Sequence, residues 1–440
     1  MKTLRFLLPL LTAMALFLPS CSSEESADAG DLIATVPSDA STVVVANVKA
    51  LLEKSGCKVD GSKITPSQAV LDNLGKEKNA GYARIFFNGE SGVDPSVAIL
   101  FRVGYNTYIT GQADDPSKFK ASVEKEFGSK FSTEEGIDIA DNVAVADNRF
   151  WVCIDQSTID ARDIRHFITL DKTQSFLSNP YADHLCKIES DVEGWGNIGG
   201  LLNTANVDFQ QRATLQVALQ TLFEDPSSVT FSLDFLNGKA EFKANVINSK
   251  GNPAKYLLPT AKVDMNAISS IGGTADAVAA LAIPHKLIEM MQKDAGAKGP
   301  SVLGVYLQAL SALDGTTAVA FGADASSLRG VVMTDGKNTQ QLATFLNGMG
   351  VQTTVDGKML RLTRGSLAGQ SQVADMAAPL KGSVGGISTS VPTELGWGGM
   401  ASKATSGSLT LHAAGNSLSV QVTLTTADAK KNFLETILEK

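Results

Sequence analysis

The chain has 440 residues but only four histidines, four cysteines and three tryptophans. So few histidines leave little material for an imidazole general base or a zinc cage, the commonest uses of that side chain. No glycine-rich phosphate-cradling loop follows a strand and no Gly-x-Ser-x-Gly elbow is present, so P-loop and α/β-hydrolase chemistry are excluded. With 38 basic against 46 acidic residues the net charge is −8, which argues against a nucleic acid partner. The apolar run Phe6 to Leu18, broken by Pro9 and Thr12, falls short of the ~20 residues of a relaxed membrane-spanning helix.

What that run does have is the layout of a secretory signal, with Lys2 and Arg5 ahead of it. Leu18-Pro19-Ser20-Cys21 then resembles the lipobox of bacterial lipoproteins. The resemblance implies that residues 1–20 are a signal peptide cut before Cys21, whose thiol carries a diacylglycerol. An ordinary signal peptide and an uncleaved anchor are the alternatives. Each buried methylene adds about 0.8 kcal/mol, so two or three acyl chains would hold the protein to a bilayer. Residues 21–31, with Glu24, Glu25 and Asp28, are too polar to fold and form an acidic, disordered tether. That tether resembles the acidic signal sending Bacteroidota lipoproteins to the outer face of the outer membrane. No aspartate follows Cys21 directly, so the inner-membrane retention signal is missing. The expected partner is therefore a membrane, reached through the lipid, at the outer membrane or cell surface.

The remaining chain is too long for one usual domain. An internal duplication suggests where to divide it. Val93-Asp-Pro-Ser-Val-Ala-Ile-Leu-Phe101 pairs with Leu313-Asp-Gly-Thr-Thr-Ala-Val-Ala-Phe321. After each comes a second strand, from Tyr108 or Gly330, then an amphipathic helix with apolar positions Phe119, Val123 and Phe127, or Leu342, Leu346 and Met349. Gly128 and Gly350 stand where a left-handed helix cap is needed. Hairpins follow, with turns at Asp147-Asn148 and Asp356-Gly357, dipeptides that tolerate positive φ. Gly194-Trp195-Gly196 matches Gly396-Trp397-Gly398, and final hairpins turn at Asn237-Gly238 and Gly415-Asn416. The openings Val43 to Ser55 and Ala277 to Lys293 also correspond, and the first half alone has a helical insert, Phe209 to Phe223. The expected fold class is α+β, as two tandem repeats over 32–258 and 259–440, each a mostly antiparallel sheet with helices packed on one face. The first half carries 22 basic and 33 acidic residues from Cys21 to Leu258; the second is close to neutral.

The stretch Asp31-Leu-Ile-Ala-Thr-Val-Pro37-Ser-Asp39-Ala-Ser-Thr-Val43, with Val48 to Gly56 after it, resembles the opening of uncharacterised Bacteroidota envelope lipoproteins carrying a domain of unknown function. The resemblance implies an envelope lipoprotein and supplies no catalytic, metal or cofactor residues.

Chemistry must come from the residues themselves. Asp163, His166, His184 and Cys186 form the densest candidate group for a metal site or a Cys-His nucleophile pair. Their spacing matches no recurrent zinc or cysteine-protease pattern, and a helix start with a solvated charged face explains them as well. Cys153 and Cys186 are candidates for a disulfide in an oxidising compartment, with buried reduced thiols the equal alternative; Cys57 is the odd thiol out. Trp195 and Trp397 are core residues or, if exposed, platforms for sugar rings. The expected function is non-catalytic binding of a protein or glycan, without a cofactor; the alternative is an envelope hydrolase with a site between the repeats.

Overall fold

The computed structural model describes residues 27–74, 81–87, 91–199, 226–248, 261–297, 310–322, 327–390, 398–414 and 417–439. Cys21, the signal segment, the Phe209 to Phe223 insert, Trp397 and the Gly415-Asn416 turn lie outside them. Among the described residues, those within 27–199, 227–242 and 428–439 form one compact unit, and 226 with those within 243–427 form a second. Among the described residues no helix is long and apolar enough to cross a membrane.

The fold is α+β, and its main strands are antiparallel throughout. The first unit uses β1 (Thr42–Asn47), β2 (Val93–Val103), β3 (Asn106–Ala113), β4 (Ser132–Glu134), β5 (Ile137–Ala140), β6 (Val143–Ala146), β7 (Arg149–Cys153), β8 (Val192–Asn197) and β9 (Pro226–Leu236). Their order across the sheet is β4-β5-β6-β7-β3-β2-β1-β8-β9. After β10 (Lys239–Asn248) the second unit uses β11 (Ala277–Ile283), β12 (Leu313–Phe321), β13 (Leu328–Thr334), β14 (Gln352–Asp356), β15 (Met359–Arg364), β16 (Gly385–Thr389), β17 (Ser406–Ala414) and β18 (Ser417–Thr425). These run β14-β15-β13-β12-β11-β16-β17-β18. Leaving out β4, β5 and β18, seven strands in each unit share one spatial order, 4-5-3-2-1-6-7 by appearance.

Helices cover both faces of each sheet, not one face as expected. Strands such as Val143-Ala-Val-Ala and Phe150-Trp-Val-Cys153 are apolar at every position, so burying one face alone would leave half of those side chains in water. On one side of the first sheet Val43, Val45, Phe101 and Trp151 pack against α1 (Gly30–Ile33), α5 (Ala161–Ile168) and α6 (Ala182–Cys186). On the other, Val145, Phe150 and Val152 meet α3 (Gly81–Phe86) and α4 (Pro116–Phe127); α2 (Val48–Glu53) follows β1. In the second unit Val278, Ala318 and Val331 face α7 (Met265–Ser269) and α10 (Val373–Met376), while Val332 and Leu360 face α8 (His285–Ala297) and α9 (Thr339–Gly348).

Local signals act where the sequence places them. Asp115 caps α4 by accepting from Lys118 N at 3.1 Å, and Gly128 ends it with φ 76°. Phe119 and Val123 are buried, but Phe127 and Met349, the last apolar positions of the two helical patterns, are 41% and 63% exposed because they lie past the sheet. Asp147 and Asn148 both adopt positive φ in a two-residue hairpin. In the second unit the loop is Gly357-Lys358, one residue later than expected, with Asp356 still paired to Met359.

The strand match contains a slip. In β2 the register jumps from Val93↔Ala113 to Ala98↔Gly111, and in β12 from Leu313↔Thr334 to Thr317↔Val332, so the first bulge holds one more residue. Beyond the bulges Phe101 lies opposite Val43 while Ala320, not Phe321, lies opposite Val278. A one-residue change reverses which side chains face which helices. Phe101 is therefore fully buried in its core and Phe321 points to the other side.

The chain end is a further difference from the 259–440 boundary, since residues 428–440 belong to the first unit. Asn432 caps the helix α11 (Phe433–Leu438) through Leu434 N at 2.9 Å and donates to Phe235 O at 3.0 Å. Phe433 and Leu434 are fully buried, and Asn73 Nδ2 donates to Leu438 O at 2.9 Å. Asn432→Ala should cost about 0.5–2 kcal/mol from the lost cap. Urea unfolding followed by tryptophan fluorescence would read it, and an unchanged midpoint would refute this docking of the terminus.

Candidate functional site

The sequence-derived candidates do not form one site. Asp163 and His166 sit on α5, where Asp163 accepts from the Tyr108 hydroxyl at 3.1 Å and His166 is exposed. Burial, and then the Asp163 charge, push the Tyr108 hydroxyl far above its usual range. His184 on α6 instead reaches Glu193 Oε2 at 2.9 Å. Among the described residues no group of three or more His, Cys, Asp or Glu side chains is placed to hold a metal ion.

Cys57, Cys153 and Cys186 all stand as free thiols in this structure. Cys153 ends β7 inside the core shared with α5, and Cys186 ends α6 at the margin of the same core. Burial raises the pKa of all three, and the Asp183 and Asp28 charges add to the effect at Cys186. A nucleophilic cysteine needs the opposite shift. Alkylation at neutral pH should be slow, with half-buried Cys186 reacting before Cys57 and Cys153; fast single-site labelling at Cys153 would contradict this packing.

Pattern reading overlooked two buried carboxylates at the start of β8. Asp191 Oδ1 pairs with Lys54 Nζ at 2.6 Å, and its Oδ2 accepts from Phe235 N at 2.7 Å. Glu193 Oε1 accepts from Glu189 N and Ser190 N, each at 3.0 Å, and its other oxygen faces His184. These bonds tie α2, β8 and β9 together and leave neither carboxylate open to a substrate. The signal in the sequence was Glu-x-Asp-x-Glu before a Gly-Trp-Gly strand, but only the topology shows that it is buried.

Gly194-Trp195-Gly196 is also structural. Trp195 is buried edge-on to Phe176, ring centroids 5.2 Å apart, and a side chain on Gly194 would strike the Phe231 ring. Of the expected counterpart Gly396-Trp397-Gly398 only Gly398 is among the described residues, and it opens the short helical turn Gly398–Lys403. By register the counterpart of Trp195 is Ser388: Trp195 lies between Val43 and Thr230, and Ser388 between Val278 and Ser408.

Two concave surfaces stand out among the described residues. In the first unit a cleft of about 440 Å³ is lined by Tyr82, Phe127, Ser129, Asp141 and Asn142. Most of its polar groups bond one another: Tyr82 donates to Asn142 at 2.6 Å, Asn142 to Cys153 O at 2.7 Å, and Ser129 to Asp141.

In the second unit a cleft of about 290 Å³ lies over β16, β17 and β18 beside the turn Ala378–Leu380. Alternation puts Ser406, Ser408 and Thr410 of β17, and Gln421, Thr423 and Thr425 of β18, on the face carrying Ser388. Leu409, Leu411, Val420 and Val422 point the other way. Thr410 Oγ1 bonds His412 Nε2 at 2.9 Å, but the hydroxyls of Ser388, Ser408 and Thr423 have no partner among the described residues. Ser388 and Ser408 are only 4% and 7% exposed. None of these oxygens is cut off from solvent, so water can satisfy them until a ligand with hydroxyls of its own takes its place.

No family model matches the chain, and no curated protein matches it. Among solved structures it is similar to crystal form I of TP0453, at 10% identity and a TM-score of 0.30, over 79% of this chain and 95% of that one. Crystal form III of TP0453 is similar at 8% identity and a TM-score of 0.28, over 76% and 93% of the two chains. A likeness at that level assigns no role.

The buried pair Asp191–Lys54 gives a pH-dependent test. Burial raises the Asp191 pKa despite Lys54 and the Phe235 N–H, so its contribution to stability is fullest below the ordinary carboxylate range and is lost as pH rises through the raised value. Lys54→Met would strand that charge and should cost about 3–5 kcal/mol at neutral pH, less as acid protonates Asp191. A loss independent of pH in denaturant titrations would refute the assignment.

Proposed function

We propose that the chain is a lipid-anchored envelope protein of the outer membrane or cell surface that works by binding, carried on two copies of one duplicated domain. The observation behind the binding reading is the chemistry of the candidate side chains. His184 is engaged by Glu193, Asp163 by Tyr108, and the thiols are held protonated by burial, whereas the polar surface with unused bonding capacity is a shallow hydroxyl face. Such a face can hold a ligand, but it brings no nucleophile, base and orienting group together. The shared seven-strand order and the paired bulges support the duplication.

The anchor rests on Leu18-Pro19-Ser20-Cys21, and the Bacteroidota envelope reading on the acidic residues Glu24, Glu25 and Asp28 and the stretch from Asp31 to Gly56; the tether expected over 21–31 is folded from Ala27 on, where Ala27 and Asp28 pair with Ile188 and Lys187 and Ala29 is buried. Cys21→Ala should move the protein from the membrane to the soluble fraction. Mass spectrometry of the wild-type protein should find acyl chains on an N-terminal Cys21. A mature terminus elsewhere, without lipid, would overturn the anchor.

A further inference from the structure

We infer that the cleft over β16, β17 and β18 is a binding site for a neutral polyhydroxylated ligand, one or two sugar rings of a glycan. The inference deepens the binding reading and rests on it. In the first unit the corresponding place is filled by the Trp195 indole against Phe176; in the second, Ser388 stands there and the volume, about 290 Å³, is left open. That is near the lower end of the roughly 300–1,000 Å³ of small-molecule pockets, which suits one or two rings.

The lining sets the chemistry. No Lys, Arg, Asp or Glu lines the cleft and its one ionisable lining residue, His412, is bonded to the Thr410 hydroxyl, so an ionic ligand would lose its hydration for little opposite charge. Pro379 is the one apolar side chain among the described lining residues, so a hydrocarbon ligand would strand the hydroxyls of Ser388, Ser408 and Thr423. A serine or threonine hydroxyl both donates and accepts, and so does each hydroxyl of a sugar, so the two sets can satisfy one another in either sense. Neighbouring strands are ~4.8 Å apart, which places Ser408 and its cross-strand partner Thr423 within reach of a single ring. Gln421 adds an amide donor and acceptor on the same face.

The test uses the full mature chain in detergent, with cellobiose, maltose and N,N′-diacetylchitobiose as probes and glucuronic acid as a charged control, read by saturation-transfer NMR and calorimetry. At least one neutral disaccharide should bind in the millimolar range or tighter, and glucuronic acid should not. Ser408→Ala with Thr423→Val should weaken binding about tenfold or more, by loss of two hydrogen-bonding groups. Ser129→Ala in the other cleft should leave it unchanged, and circular dichroism melts would show that every variant folds. Absence of binding by all three disaccharides, equal binding of glucuronic acid, or affinity indifferent to the paired substitution would each overturn the site. Failure here with the protein still lipidated at Cys21 leaves the envelope reading standing; binding accompanied by hydrolysis of the disaccharide supports the site and overturns the non-catalytic reading.

Discussion

Burial of both faces of each sheet is the constraint on which the rest of the molecule depends. A strand with helices on both sides cannot use strict apolar-polar alternation, so β1 reads Thr-Val-Val-Val-Ala-Asn and β7 reads Arg-Phe-Trp-Val-Cys. Register is then set by which apolar side chain fits which layer of helices, and a bulge that gains a residue exchanges the two layers downstream. The bulges of β2 and β12 differ in this way, and the large Phe101 of the first core is replaced by the small Ala320 of the second. The helix-side core of the second unit is correspondingly built on alanines, among them Ala280, Ala318 and Ala320.

The same constraint governs the polar groups. Where β8 leaves its turn, burial is unavoidable for Asp191 and Glu193: Asp191 is matched by Lys54 and Phe235 N and Glu193 Oε1 by the turn's own amides, while Glu193 Oε2 lies 2.9 Å from His184 Nε2 without a hydrogen bond. These carboxylates would look catalytic in a list of buried acids, and their partners show that they hold α2, β8 and β9 in place. Where the second sheet has no tryptophan at the Ser388 position, the hydroxyls of β17 and β18 face a cleft in place of an indole.

Much of the architecture was legible in the sequence, for local physical reasons. The Gly128 terminator and the Asp147-Asn148 and Asn237-Gly238 turns act through neighbouring backbone, and each sits where residue type alone placed it. What was illegible depended on distant partners. The slip between Phe101 and Phe321 needs the pairing of β2 with β3 and of β12 with β13. The return of Asn432 to Phe235 joins residues remote in sequence, and the place of Ser388 beside Val278 and Ser408 needs the pairing of β11, β16 and β17. The hydroxyl face was written in Ser406, Ser408, Thr410, Thr423 and Thr425, but alternating serine and threonine also describes an ordinary solvated strand.

The central claim is that Ser388 occupies the place of Trp195 and that the space beside it is open. The stability and emission of Ser388→Trp test it most directly. An indole placed there should find room, so the unfolding free energy should stay within about 1 kcal/mol of wild type and the added tryptophan should emit as a buried one. An overpacking loss of about 1–3 kcal/mol or more, or emission from a water-exposed indole, would contradict the correspondence between the two sheets.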